Sequence, residues 1–196
     1  MPRKNARNTK GRIISAAWKL FYEQGYEDTT IEEIIEESGT SKGSFYHYFE
    51  GKDALLGSLA YMMDEKYEEL EPTIAEDMDS FEALLYLSHE LLSMIEETIN
   101  MELLTRLYST QLTTRGERPL LDHGRTYYKL LRKIITKGQK KGELTKVWSV
   151  GEMVHYYAMC ERAFLYEWCL RKGEYSLLED ADKKLPMMIG GLRKTD

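Results

Sequence analysis

The chain of 196 residues has two cysteines, four prolines and no unbroken apolar run long enough to cross a bilayer. Each scarcity excludes something. Two cysteines cannot make a disulfide scaffold, and if Cys160 and Cys169 share one helix they lie on opposite faces roughly 13 Å apart along its axis, beyond disulfide reach. They read as buried thiols. The opening M-P-R-K-N-A-R-N-T-K-G-R lacks the apolar stretch of a secretory signal, so a cytoplasmic location with no membrane partner is expected. Histidines 47, 89, 123 and 155 are scattered, and no His-x-x-x-His, Cys-x-x-Cys, phosphate-cradling glycine loop or nucleophile elbow occurs; Lys42-Gly-Ser44 lacks the upstream glycine of a phosphate loop. No catalytic residue, metal site or cofactor is expected, and the chain does not read as an enzyme.

What is present is a globular composition, 42% hydrophobic and 31% charged, with a formal charge of −6. The charge is uneven. Residues 1–52 hold eight bases and eight acids, so the whole deficit lies downstream. Arg3, Lys4, Arg7, Lys10, Arg12 and Lys19 all precede the first acid, Glu23, making the N-terminus a positive arm suited to a polyanion. A solvated terminus is the alternative reading for residues 1–8.

Apolar periodicity predicts an all-helical chain. Ile13, Ile14, Ala16, Ala17, Leu20 and Phe21 form one stripe over about 9–24, stopped by Gly25. Thr30 and Glu33 form a capping box that opens a short helix ending near Gly39, with Ile31, Ile34 and Ile35 on one side and Glu32, Glu33, Glu36 and Glu37 on the other. A third helix covers 42–49, and a long fourth runs from about Lys52 to Pro72. Asp79 with Glu82, Ser149 with Glu152 and Ser176 with Glu179 mark later starts, predicting helices at about 80–98, 100–114, 118–141, 149–172 and 176–193, with Gly116, Gly142 and Gly173 at the breaks.

Two short helices joined by a turn at Gly39 are a helix-turn-helix unit, whose second helix can enter the DNA major groove. At 100° per residue, Phe45 and Phe49 fall inward. Gly43, Ser44 and His47 point out and Tyr46 flanks them. Lys42 and Lys52 add charge near the two ends of the helix, and free amides near Ser41 and Lys52 add anion sites. A helical bundle without a nucleic-acid partner would show the same spacing, and the four glutamates would repel phosphate unless they face away.

The run Thr29-Thr-Ile31, Ile34-Ile35, Gly39-Thr-Ser-Lys-Gly-Ser-Phe-Tyr-His-Tyr-Phe49 and Lys52-Asp-Ala-Leu-Leu56 closely resembles the signature of TetR-family transcriptional regulators over about 45 residues. The resemblance implies an N-terminal three-helix DNA-binding domain, residues 1–52, followed by a C-terminal helical bundle for ligand binding and dimerisation, residues 53–196. By position it implies DNA contacts from Thr30, Ser41, Lys42, Gly43, Ser44, Tyr46, His47 and Lys52, with Ser44 and His47 best placed for bases. Thr40 stands where the family often has a small aliphatic residue, which puts only a minor turn contact in doubt.

The resemblance also implies a homodimer through the last two helices, a double-stranded DNA operator and an unidentified small-molecule effector whose binding releases a repressor. The helix over 149–172 is apolar on two sides: Val150, Met153, Tyr157, Cys160, Phe164 and Trp168 on one, Tyr156, Met159, Ala163, Tyr166 and Leu170 on the other, which fits a helix between its own bundle and a partner. Burial within a monomer is the alternative. Candidate pocket residues are Met63, Tyr67, Tyr86, His89, Met94, Met101, Tyr108, Tyr127, Met153, Tyr156, Tyr157 and Cys160, though such stripes are core more often than cavity wall. Glu161, the one acid in an apolar arc, would neutralise a cationic ligand or pair with an arginine. A helical protein-binding adaptor that ignores DNA is the rival to the regulator.

Overall fold

The computed structural model describes residues 3–113 and 118–194, with side chains from Thr9 onward. The side chains of Arg3, Lys4 and Arg7 and the break at Gly116 lie outside the described residues. Among the described residues ten α-helices follow in order: α1 Arg3–Gln24, α2 Ile31–Ser38, α3 Lys42–Tyr48, α4 Lys52–Leu56, α5 Ser58–Leu70, α6 Ser80–Thr98, α7 Met101–Thr113, α8 Thr126–Lys141, α9 Val150–Leu170 and α10 Leu177–Ile189. Among the described residues there is no strand, only an isolated bridge between Leu144 and Arg193. The fold is all-α, and none of these helices is long and apolar enough to cross a membrane.

The chain divides into two compact units, Met1–Ala60 with Glu102–Leu120, and Tyr61–Met101 with Leu121–Asp196. The first unit therefore takes in α4, the start of α5 and most of α7, more than residues 1–52. Its core is Ile13, Ala17, Phe21, Ile34 and Phe45, all essentially without solvent contact. These side chains hold α1 against α2 and α3.

The long segment expected from Lys52 to Pro72 is two helices. Ser58 turns its hydroxyl onto the Leu55 carbonyl and accepts a hydrogen bond from Trp18 Nε1 at 2.7 Å. An added Cβ on Gly57 would lie 3.1 Å from Pro119 Cγ, so the break sits where the backbone is closely approached. Five helices, not four, thus fill the first 70 residues.

In the second unit α6 packs on α8 and α10, and α9 on α8 and α10. Gly138 lets these elements close up. A methyl there would meet Leu144 Cδ1 at 2.6 Å and Ser80 Cβ at 2.7 Å. The segment expected to be helical from 118 begins instead with the 3-10 turn Pro119–Leu121 and a turn at Gly124, whose N–H donates to Asp122 Oδ1, so α8 starts only at Thr126. The caps are partly as expected. Ser149 and Glu152 form a full capping box. Asp79 caps α6 alone, because Glu82 turns to Arg193. At α10 the Ser176 hydroxyl accepts from Glu179 N–H, while Glu96 of α6 takes the Leu177 and Leu178 amides. Cys160 is buried, but Cys169 is only half-buried, since its position on α9 falls at the edge of the packed face.

Candidate DNA-reading head

Local chemistry builds the head from the turn outward. The α2 start is the expected box: the Thr30 hydroxyl accepts from Glu33 N–H and the Thr30 N–H donates to Glu33 Oε2 at 2.7 Å, which holds that carboxyl below its ordinary range. Such a cap stabilises a helix by about 1 kcal/mol. Gly39 ends α2 in the left-handed region, φ 58°, where a side chain would be strained. Arg12 reaches from α1 to donate to the carbonyls of Ser38 and Gly39, satisfying acceptors the helix end leaves open. Two residues on, the Ser41 hydroxyl accepts from Ser44 N–H at 3.1 Å and starts α3.

The face of α3 is divided as its sequence predicts. Phe45 and Phe49 are buried with rings 5.8 Å apart, while Lys42, Gly43, Tyr46 and His47 are exposed and Ser44 is half-exposed. Ser41 and Thr30 are exposed at their caps. Six of the eight expected contacts thus sit on α3 or its cap, and Thr30 on the cap of α2. The glutamates are largely answered: Glu37 by Lys19 at 2.7 Å, Glu33 by the capping box and Gln24, Glu32 by Lys42 at 3.4 Å. The last pair is solvent-exposed on both sides and so leaves the Lys42 ammonium available to a phosphate.

Lys52 has another task. Its ammonium donates to the carbonyls of Tyr26 at 2.6 Å and Thr29 at 2.8 Å and lies 4.3 Å over the Tyr26 ring. It closes the α1–α2 connection rather than reaching outward. The expected positive arm is likewise partly consumed: Arg12 caps α2, Lys19 pairs with Glu37, and Lys10 lies 5.9 Å over the Phe49 ring. Sequence reasoning missed Tyr26 altogether. Its phenol donates to Asp53, the Arg106 guanidinium covers its ring at 4.7 Å, and burial first, then the Asp53 bond, push its pKa up. A lone tyrosine between a glycine stop and an acidic turn carries no periodic signal for such a hub.

The pocket candidates do not share one cavity. Met63, Tyr67, Tyr127, Met153, Tyr157 and Cys160 are buried core. Tyr86 and His89 line a shallow groove of about 360 Å³ with Asp182, whose carboxylate lies 3.0 Å from His89 Nδ1. Met94 and Met101 are half-buried, Tyr156 is exposed and donates to the Met188 carbonyl, and Tyr108 belongs to the first unit. Helical spacing turns a side chain inward; it does not tell whether the interior there is hollow. Glu161 is buried, and its hydrogen-bond partners are tyrosines rather than an arginine. The Tyr127 hydroxyl donates to one oxygen, and the other lies 3.1 Å from the Tyr157 hydroxyl. The Tyr157 hydroxyl also lies 2.7 Å from the Leu84 carbonyl. With its one proton on that carbonyl, it accepts from a protonated Glu161. Burial pushes the Glu161 pKa up, in keeping with a neutral acid there. Among the described residues no group of three or more His, Cys, Asp or Glu is placed to hold a metal ion.

A buried Phe pair, a left-handed glycine turn and a polar outer face on the second helix define a helix-turn-helix head of the kind that reads duplex DNA. Residues 13–59 match the family model described as bacterial regulatory proteins, tetR family. Residues 13–59 are thus a TetR-type DNA-binding domain, and the chain as a whole resembles TetR-type transcriptional regulators. An uncharacterized HTH-type transcriptional regulator in the lacX 3′ region of Lactococcus lactis subsp. lactis is 48% identical over 48 residues, a match confined to 24% of either chain. The fatty acid metabolism regulator protein of Bacillus subtilis is 23% identical over 182 residues, covering 92% of this chain and 94% of that one. The crystal structure of Thermus thermophilus FadR, a TetR family transcriptional repressor in complex with lauroyl-CoA, superposes with a TM-score of 0.79 at 22% identity, over 95% of this chain and 96% of that one. At that identity the likeness is one of fold.

Proposed function

We propose that this chain is a ligand-responsive repressor that holds a pseudo-palindromic operator as a homodimer and is released by an acyl-coenzyme A thioester. The observation that carries the DNA reading is the division of α3, with Phe45 and Phe49 buried and Gly43, Tyr46 and His47 exposed beside Ser44. Gly43 holds no side chain between the backbone and a base edge, and Ser44 and His47 both donate and accept. Lys42 and the Ser41 cap supply the backbone contacts.

The dimer reading is supported by α9 and α10. Tyr156, Met159, Ala163, Tyr166 and Leu170 follow one another by three and four residues, the spacing of a helix–helix seam, and all are exposed. Met187 on α10 is 81% exposed. So long an apolar strip asks for a partner, and a two-fold pairing of this strip with its copy would carry two heads to one operator. The effector class is taken from the FadR complex with lauroyl-CoA and from the fatty acid regulator of B. subtilis. Effector binding in the second unit would act on the first through α5, which contributes residues to both. Ligand and DNA then oppose each other by linkage.

The test is a gel shift of the full chain on DNA upstream of its own coding sequence. A retarded band that weakens with salt and with added lauroyl-CoA is expected. No band at low salt would favour the adaptor.

A further inference from the structure

We propose that the basic face of α8, with the apolar-floored groove beside it, binds the phosphate-bearing end of an acyl-coenzyme A thioester. This rests on the effector reading above and gives that effector a site.

On a chain of net charge −6, α8 carries six lysines and arginines in sixteen residues and no acid. Its buried face is Tyr127, Tyr128, Leu130, Leu131, Ile134 and Ile135. All six cations fall on the rest of the surface, spread over about 18 Å of helix. The helix dipole accounts for Lys140 and Lys141 in the last turn, but not for Lys129, Arg132 and Lys133 in the first half. Internal partners account for part of the remainder: Lys133 pairs with Glu71, Lys137 donates to the Glu76 carbonyl at 2.7 Å, and Arg132 donates to the His123 carbonyl at 2.7 Å. Lys129 and Lys140 are exposed and make no ion pair among the described residues.

Beside this band lies a groove of about 820 Å³, floored by Ile74, Ala75, Ala83, Leu130 and Ile134. That volume is within the range of ligand sites. Lys133, Lys137 and Lys141 line this groove and equally a shallower depression of about 660 Å³ in which Lys129, Arg132 and Lys140 join them. An apolar trough therefore grades into a cationic shelf through three shared side chains. Glu71, Glu76 and Asp77 stand on the opposite wall and would confine phosphates to the α8 side. The chemistry that suits both halves at once is an amphiphile with an apolar tail and several phosphates. Ammonium groups of lysine bind phosphate as adaptable point charges.

The experiment is calorimetric titration of the full chain with lauroyl-CoA and with the lauroyl thioester of N-acetylcysteamine, which has no phosphate, at two salt concentrations. The wild type is expected to bind lauroyl-CoA at least about tenfold more tightly, with the advantage shrinking in salt. The double variant Lys129→Gln, Lys140→Gln, altered only at exposed positions, is expected to lose most of that advantage while keeping its affinity for the phosphate-free thioester and for operator DNA. Undiminished lauroyl-CoA affinity in the variant would overturn the site, as would a loss of DNA affinity with the thioester unaffected. Equal binding of both thioesters by the wild type would overturn the phosphate site and leave the effector reading standing. Binding of neither would overturn both.

Discussion

Arg125 grips Asp64 with two nitrogens, Nε at 2.9 Å from Oδ2 and Nη2 at 3.1 Å from Oδ1, and both side chains are buried. The Tyr127 amide donates to the same Oδ1 at 3.1 Å. The second half of α5 is thereby tied to the start of α8. Asp64→Ala takes the carboxylate away from a buried guanidinium and is expected to destabilise the chain by about 3–5 kcal/mol, and Asp64→Leu with Arg125→Met by clearly less. Urea denaturation of both variants checks this; a loss below about 1 kcal/mol for Asp64→Ala would mean that water reaches the pair.

The buried carboxyl of Glu161 gives a pH dependence with a definite sign. Burial, opposed by the hydrogen bond that the Tyr127 hydroxyl donates, raises its pKa above the ordinary 4.5. The native state then keeps a proton that the unfolded chain has lost. The stability this group contributes is whole below about pH 4.5 and declines as pH rises through the window between the ordinary and the raised value. Glu161→Gln has no proton to lose. Its stability relative to wild type is expected to increase between about pH 5 and pH 8, measured by denaturant titration at each. A pH-independent difference would show the acid to be ionised throughout.

Lys52 is expected to matter for folding rather than for phosphate binding. Its ammonium satisfies the Tyr26 and Thr29 carbonyls, and hydrogen bonds from a charged donor contribute about 1.5–3 kcal/mol. Lys52→Met should lower the thermal midpoint while leaving the salt slope of DNA binding unchanged. A slope reduced by about one at unchanged melting temperature would assign it to the DNA backbone instead.

His47 and Lys42 should part company. His47→Ala is expected to weaken operator binding by about 1–3 kcal/mol and to relax sequence preference. Lys42→Ala should weaken binding to all sequences alike and reduce the salt slope by about one. Fluorescence anisotropy on operator and scrambled duplexes at several salt concentrations separates the two.

A charge on the exposed strip of α9 should split the dimer. Met159→Lys and Leu170→Asp replace side chains that are 46% and 59% exposed, so the monomer fold tolerates them. Light scattering is expected to give the monomer mass, with operator affinity falling by at least about a hundredfold as one head loses its tether to the other. A dimer that survives both changes would place the interface elsewhere.

Much of the head was legible because its signals are local. The Thr30 capping box, the left-handed turn at Gly39 and the inward pair Phe45 and Phe49 each depend on residues within a few positions of one another. The carbonyl partners of Lys52 were not legible for the opposite reason. A lysine at a helix start looks the same from sequence whether it meets a phosphate or a carbonyl 26 residues earlier. The pocket candidates failed to converge for a related cause: Tyr127, Tyr157 and Cys160 repeat at the period that faces them inward, and periodicity carries no information about empty space. The six cations of α8 stand in the sequence, but the groove beside them is formed only in the packed chain.

By itself the sequence determined the helical class, the place of most helices, the two-sided α9 and which side chains α3 turns out, since each follows from propensity, caps and a 3.6-residue period. Tertiary structure alone decided that Glu161 meets two tyrosines, that Arg125 closes on Asp64 and that segment 71–80 forms a trough with α8. Apart from Tyr157 and Glu161, which are one turn of α9 apart, those pairings join residues 34 to 62 positions apart, and nothing short of the packed chain brings them within a hydrogen bond's length.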